Sequence, residues 1–235
     1  MILSEATGDT QPVLRKMSPR HAIWIVYEAM FGFAVPYVFA DFLLLPTDLY
    51  YLVYFAAVAI FFSTYIKKTK LDLKAWVSHR VTWGILLALL FGALMVQNVL
   101  ARPETQKFSG IYLAGLIIWR GLIYGVIDGL LLSSFPVIVT WRAFDVGGKP
   151  LAKKIAFGLL AWLFILGVTT AYHSGYSDFR SRKIIQPNIG NTIIAIPTLV
   201  TANPVASPIT HAMMHIAAVL HCPETDLFLP PHRTK

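Results

Sequence analysis

Long apolar runs separated by short polar segments rich in basic residues make up most of the chain. An α-helix needs a run of about 20 apolar residues to cross the hydrocarbon layer of a membrane. The pattern therefore predicts an all-α fold, a polytopic transmembrane helical bundle. The first five predicted spans cover residues 21–45, 49–66, 81–100, 108–144 and 151–172.

Two apolar regions do not have the length of one regular span. The run 108–144 is too long for one straight crossing and too short for two crossings with a loop, so we expect Pro136 to kink or end that helix. The last region, 189–221, is interrupted by three prolines and predicts a short or broken segment followed by a helix that carries histidines. Taking this region as the sixth crossing, we predict about six spans.

Composition excludes an ordinary soluble domain. Hydrophobic residues make up 56% of the chain and charged residues only 14%, whereas soluble proteins have roughly 25% charged residues. The single cysteine, Cys222, excludes an intrachain disulfide and a cysteine-based metal cage. The net charge of +8 is no sign of nucleic-acid binding, because no dedicated domain accompanies it. The expected partners are the lipid bilayer and, in one interpretation, other membrane-protein subunits.

The distribution of basic residues predicts the orientation, since cytoplasmic segments of membrane proteins are enriched in Lys and Arg. With the N-terminus in the cytoplasm, fourteen of the twenty Lys and Arg residues fall on the cytoplasmic side, five fall outside and Arg120 falls within the membrane. Six crossings then place both termini in the cytoplasm. We predict one domain with a cytoplasmic tail over 1–20, the bundle over 21–221 and a C-terminal tail over 222–235.

Ionisable side chains inside the spans are candidates for function. A charge at mid-bilayer costs on the order of 2.5–3.5 kcal/mol on insertion scales, so such groups face the bundle interior and pair. Arg120, Tyr124 and Asp128 are spaced i, i+4, i+8 and share one side of the fourth helix. Glu28 lies in the first span at a depth comparable to Asp128. Two interpretations stay open: these residues fix helix packing, or Arg120, Asp128 and Glu28 line a catalytic cavity.

Glycines on the same helix predict close packing. Gly121, Gly125 and Gly129 recur every fourth residue, a spacing that lets a neighbouring backbone approach. The fourth helix is therefore expected at the centre of the bundle.

Three histidines form a candidate metal site. His211 and His215 are spaced i, i+4, so a helix stacks their imidazoles on one face. His173 ends the fifth span and joins them if the fifth and sixth regions pack together. Imidazoles completed by a carboxylate suit Zn²⁺, with an open position for water in a catalytic site. The alternatives are hydrogen-bonded structural histidines and axial ligation of a haem.

Three sequence elements resemble the CPBP family of membrane proteins, the CAAX-protease and bacteriocin-processing group. Arg120-Gly121 in IIWRGLIYG is similar to the family's arginine–glycine pair, and His173 in ILGVTTAYHSGY to its second element. His211, after a proline-bearing turn, is similar to the third, with His215 where the family has a polar residue. The resemblance covers the C-terminal half of the chain and implies a metal-dependent intramembrane peptidase.

The chain departs from the family pattern at two places. The paired glutamates that activate water in the family are replaced by Gly115 and Leu116, and Thr169 stands where a phenylalanine is expected. Asp128 and Glu28 are the candidates to replace the missing base. The resemblance implies either a diverged metallopeptidase or a non-catalytic relative with a polar cavity. A non-enzymatic subunit or assembly factor of a membrane complex, and a haem-binding electron carrier, are the alternative functions.

Overall fold

In the computed structural model, which describes residues 17–225 and 228–230, the chain forms an all-helical bundle. No strand occurs among the described residues. Most of the predicted N-terminal tail (1–16) and parts of the predicted C-terminal tail (226–227 and 231–235) lie outside them. The eight helices that build the bundle are α1 Pro19–Phe42, α2 Thr47–Thr69, α3 Leu73–Ser78, α4 Val81–Leu100, α5 Gly110–Phe144, α6 Leu151–Ser174, α7 Ile185–Thr201 and α8 Ala206–His221.

Five of these helices, α1, α2, α4, α5 and α6, are long and apolar enough to cross a membrane. The prediction of a membrane protein with several helical spans is confirmed to that extent. Helix α5 is the central one, since 72% of its most apolar window is buried, compared with 28% in each of the other four.

Helix α5 does not end at Pro136, as one form of the prediction had it. It continues to Phe144. Wide π-helical turns occur at Ile117–Ile123 and Leu130–Ser134, and Pro136 lies two residues beyond the end of the second. A π turn interrupts the regular i to i−4 hydrogen-bond pattern. The missing N–H of Pro136 therefore falls where that pattern is already broken, and the helix tolerates it.

The last apolar region forms two helices arranged as a hairpin, in agreement with the predicted short or broken segment followed by a helix. Helices α7 and α8 have 17 and 16 residues and are separated by a break at which Ala202 has a left-handed backbone with φ of 56°. Asn203 stabilises the break, because its amide donates to the carbonyls of Val77 at 2.9 Å and His79 at 2.6 Å and its Oδ1 accepts from the Val205 N–H at 2.9 Å.

The hairpin changes which chain segments meet at each end of the bundle. At one end, here called the basic end, Met17 donates its N–H to the Arg142 carbonyl and Arg142 bonds Thr69. At the opposite end, the Thr105 N–H donates to the carbonyl of His221. The start of α1 and the end of α8 therefore lie at opposite ends of the bundle, while the number of crossings and the sides of the two tails stay predictions.

Helix α8 is held between α4 and α5 by glycines. A Cβ built on Gly121, Gly125 or Gly129 of α5 would lie 2.5–2.9 Å from an atom of α8. On the other side, a Cβ on Gly92 of α4 would lie 2.3 Å from the sulfur of Met213. This close approach matches the packing expected from the glycine spacing. It also brings the histidines of α8 to the polar face of α5.

Candidate functional site

Two histidines of α8 and one aspartate of α5 converge in the bundle interior. The rings of His211 and His215 are stacked one helical turn apart, with centroids 5.0 Å apart and planes at 24°. Nε2 of His215 lies 4.0 Å from Oδ2 of Asp128. One ligand atom from each of the three residues lies within 4.8 Å of the other two, and all three side chains are buried.

The imidazoles have unused hydrogen-bonding atoms. Both ring nitrogens of His215 and Nδ1 of His211 are buried without a hydrogen-bond partner among the described residues. The backbone of Phe228 lies close enough to His215 for a weak hydrogen bond, although this contact falls outside the usual limits of distance and angle. Leaving a buried polar atom unpaired costs about 1–3 kcal/mol. A ligand that accepts imidazole lone pairs would remove this cost.

A bound divalent cation fits this donor set. Imidazole nitrogen and carboxylate oxygen are typical ligands of Zn²⁺, and three protein ligands leave a fourth position open. In a tetrahedral zinc site, neighbouring ligand atoms lie about 3.4 Å apart, so the three side chains need to move closer together than their largest separation of 4.8 Å. That movement costs His215 at most its weak contact with the Phe228 backbone.

His173 lies on the wall of the same cavity but outside the convergent group. Its Nδ1 lies 2.8 Å from the Thr169 carbonyl oxygen, which can only accept, so Nδ1 carries the proton. The lone pair of Nε2 then remains available. The structure thus brings together His211, His215 and Asp128, and it places His173 beside them.

The cavity has a volume of about 210 Å³ and extends toward the opposite end of the bundle. Tyrosine hydroxyls form a connected chain on one wall: Tyr124 to Tyr172 at 2.7 Å, Tyr172 to Tyr176 at 3.1 Å and Tyr176 to Tyr50 at 2.5 Å. Tyr54 donates to Oδ1 of Asp128 at 2.6 Å. The sequence reasoning missed these tyrosines as a group, although the i, i+4 spacing of Tyr50 and Tyr54 in an apolar span was an available signal.

The other two candidate catalytic residues lie elsewhere. Arg120 does not line the cavity, and it donates to Oδ1 of Asp48 at 3.0 and 3.1 Å. Glu28 is fully buried on α1, and neither carboxyl oxygen has a hydrogen-bond partner among the described residues. It does not line the cavity either. Of the carboxylates considered for water activation, only Asp128 is at the site.

The stacking of His211 and His215 does not suit a haem held between these two histidines. A porphyrin held between two histidines needs them on opposite faces of the ring, whereas His211 and His215 are stacked on one helix. The cavity of about 210 Å³ is also smaller than the range of about 300–1,000 Å³ typical of small-molecule and cofactor pockets.

Comparisons with protein-family models, with curated proteins and with solved structures give no match for this chain. The site is therefore interpreted from its own chemistry.

Proposed function

We propose that the protein is a membrane-embedded metalloprotein that binds Zn²⁺ or a comparable divalent ion through Asp128, His211 and His215. The observation that carries the proposal is the convergence of these three side chains in one buried cavity while the imidazole nitrogens lack hydrogen-bond partners. Structural histidines in an apolar bundle are expected to be paired with donors or acceptors. Unpaired histidines beside a carboxylate are what a site built for a cation requires.

We further propose hydrolysis of an amide bond as the reaction, in line with the resemblance to CPBP peptidases. A divalent ion, when bound, would polarise the carbonyl of the substrate and activate a water molecule. In this chain Asp128 and the two histidines of α8 serve as ligands, which leaves His173 to accept the proton of water through Nε2. The free lone pair and the position of His173 on the cavity wall support this role. Arg120 and Glu28 have no part in it, because neither lines the cavity.

For orientation, we propose that the basic end of the bundle faces the cytoplasm. Among the described residues, ten Lys and Arg residues lie at that end and five at the opposite end, which agrees with the positive-inside rule. The cavity then opens toward the non-cytoplasmic side. The hairpin of α7 and α8 places the end of α8 on that side as well.

The metal content of the purified protein tests the proposal. We expect close to one equivalent of a divalent transition metal in the wild type and loss of the metal in His215→Ala. The matched control is His221→Gln, on the same helix but bonded to the Arg102 carbonyl outside the convergent group. It should keep its metal.

A wild-type protein without metal after purification and reconstitution with Zn²⁺ would overturn the metal proposal. Metal retained in full by His215→Ala would do the same. The hydrolysis proposal has a separate test, since His173→Ala should abolish peptidase activity while the metal content stays unchanged.

A further inference from the structure

The carboxylate of Asp128 has two oxygens in different surroundings. Oδ1 accepts a hydrogen bond of 2.6 Å from the Tyr54 hydroxyl, and Oδ2 faces Nε2 of His215 at 4.0 Å. Both Tyr54 and Asp128 are buried, so no bulk water competes for either oxygen. A bond of this length is in the range of a hydroxyl that donates to a carboxylate.

We propose that Tyr54 is a positioning residue for the metal site, which makes Asp128 a ligand through Oδ2 alone. The inference rests on the proposed metal site. The hydroxyl of Tyr54 donates to Oδ1 and, together with the nearby Tyr124 hydroxyl, holds the carboxylate so that Oδ2 faces Nε2 of His215. Groups that hydrogen-bond to a ligand orient it, and their loss typically costs 10–100-fold in metal affinity.

The packing of Tyr54 supports this role. Its ring is in contact with the rings of Tyr50, Tyr124 and Tyr172, with centroids 5.7–6.0 Å apart. The contacts with α2, α5 and α6 therefore fix the position of the ring, and with it the position of the hydroxyl that donates to Asp128. A positioning group needs such a rigid support.

The test compares Tyr54→Phe with Tyr50→Phe. Tyr50 lies one turn away on the same helix and its hydroxyl bonds that of Tyr176, whereas the Tyr54 hydroxyl donates to Asp128. We expect the dissociation constant for Zn²⁺ to rise about 10–100-fold in Tyr54→Phe and to stay within threefold of wild type, roughly, in Tyr50→Phe. The visible spectrum of the Co²⁺-substituted protein should change in Tyr54→Phe alone.

A double-mutant cycle separates positioning from folding. If Tyr54 acts through Asp128, adding Tyr54→Phe to Asp128→Asn changes the dissociation constant no further. An unchanged affinity and Co²⁺ spectrum in Tyr54→Phe, or fully additive effects in the cycle, would overturn the positioning role. A wild-type protein that binds no metal would instead overturn the proposed function.

A separate observation concerns residues 228–230, here called the C-terminal strap. After α8 the chain turns back at the opposite end, where the Glu224 N–H donates to Thr105 Oγ1 at 3.3 Å. Phe228 and Leu229 are buried at 8% exposure each, in a cluster that includes Met95 and Met214. All three strap residues line the cavity that contains His211 and His215.

We infer that the strap covers the cavity on the side where it opens and that it must move before a molecule from outside reaches the site. Three other residues share this part of the wall, namely Asn98, Arg102 and Gln186. They lie close to where α4 ends and α7 begins, at the end of the bundle away from the basic end. Because the strap is not part of a helix, its opening is a local event.

Reaction of an engineered thiol tests the strap without any metal. Met214→Cys in a Cys222→Ser background places one thiol on the cavity wall beside the strap. A small water-soluble maleimide should react roughly tenfold faster or more when Phe228→Ala and Leu229→Ala are added, since access then no longer waits for opening. Leu220→Ala, an exposed position on α8, is the control and should leave the rate unchanged.

An equal rate with and without the strap substitutions would overturn the covering role. A rate raised as much by Leu220→Ala would also overturn it, because the effect would then be a general loosening of α8. Neither outcome depends on the metal proposal.

Discussion

Gly129 of α5 lies so close to Pro208 of α8 that a Cβ built on the glycine would be 2.5 Å from the Pro208 Cα. The neighbouring atom is backbone, so it cannot move aside as a flexible side chain would. The distance shows that the two helices are packed backbone to backbone at the start of α8, which sets the height of His211 against α5.

We expect Gly129→Ala to destabilise the bundle by about 1–3 kcal/mol, because the added methyl group overpacks the contact. Thermal unfolding in detergent measures the effect. Gly115→Ala is the matched control on the same helix, since a Cβ at Gly115 meets nothing within 4 Å. That substitution should be neutral or stabilise by up to about 1 kcal/mol. Equal unfolding temperatures for the two variants would contradict the close contact.

Replacement of Asn203 by alanine should weaken the break between α7 and α8. The side chain donates to the part-buried Val77 and His79 carbonyls, and each lost hydrogen bond costs about 0.5–1.5 kcal/mol. Unfolding temperature is again the measurement. Asn98→Ala, which removes only a long 3.4 Å contact with Arg102, is expected to change stability by less than about 0.5 kcal/mol.

The pair formed by Arg120 and Asp48 is expected to contribute little. The two side chains are 18% and 59% exposed, and partly exposed ion pairs are worth about 0–1 kcal/mol. The double variant Arg120→Gln with Asp48→Asn should therefore keep the metal content of the wild type. Loss of metal in this variant would restore the original prediction of a catalytic role for Arg120.

Removal of the metal should lower the stability of the wild type but not of Asp128→Asn. A ligand that binds only the folded state at a free concentration 100 times its dissociation constant adds about 2.7 kcal/mol. Unfolding with and without a chelator measures the difference. The difference should shrink as pH falls, because protons compete with the metal for His211 and His215. A chelator effect of equal size in Asp128→Asn would remove Asp128 from the ligand set.

The relative sides of the chain segments can be measured by labelling single cysteines in sealed vesicles. In a Cys222→Ser background, Lys107→Cys and Glu224→Cys should react from the same side of the membrane, and Lys70→Cys from the other. The contacts of Thr105 with His221 and Glu224 are the reason for this expectation. Labelling of Glu224→Cys together with Lys70→Cys would show that α7 and α8 do not form the hairpin described above.

Much of the fold follows from local sequence patterns. The structure differs from the prediction where it depends on contacts between distant parts of the chain. Apolar runs of sufficient length identify five spans, and the glycines from Gly121 to Gly129 predict the packing of α5. Helices α7 and α8 are shorter than a regular span, so counting runs merged them into one crossing. Their separation depends on Asn203, whose partners Val77 and His79 are more than a hundred residues away in the chain. No local pattern contains that contact.

The geometry of the candidate site likewise depends partly on local sequence patterns and partly on packing between helices. The i, i+4 spacing of His211 and His215 predicts their stacking, because helix geometry alone decides it. The depth of Asp128 made it a candidate, but its approach to His215 depends on the register between α5 and α8. For Arg120 the spacing placed the residue on the right helix face, yet the long side chain reaches Asp48 at the start of α2 instead. Helical periodicity gives the face on which a side chain lies, but it does not give the partner that a long side chain reaches.

The length of α7 has a consequence for the surrounding lipid. Its 17 residues rise about 25 Å, whereas a bilayer has a hydrocarbon thickness of about 30 Å. Ile185, Ile189 and Val200 on its outer face are more than half exposed, so this face of α7 is available to the acyl chains. A span shorter than the hydrocarbon layer is matched by local thinning of the bilayer, among other responses. Where the bilayer thins along α7, lipid headgroups come closer to Gly190 and Asn191, which form part of the cavity wall.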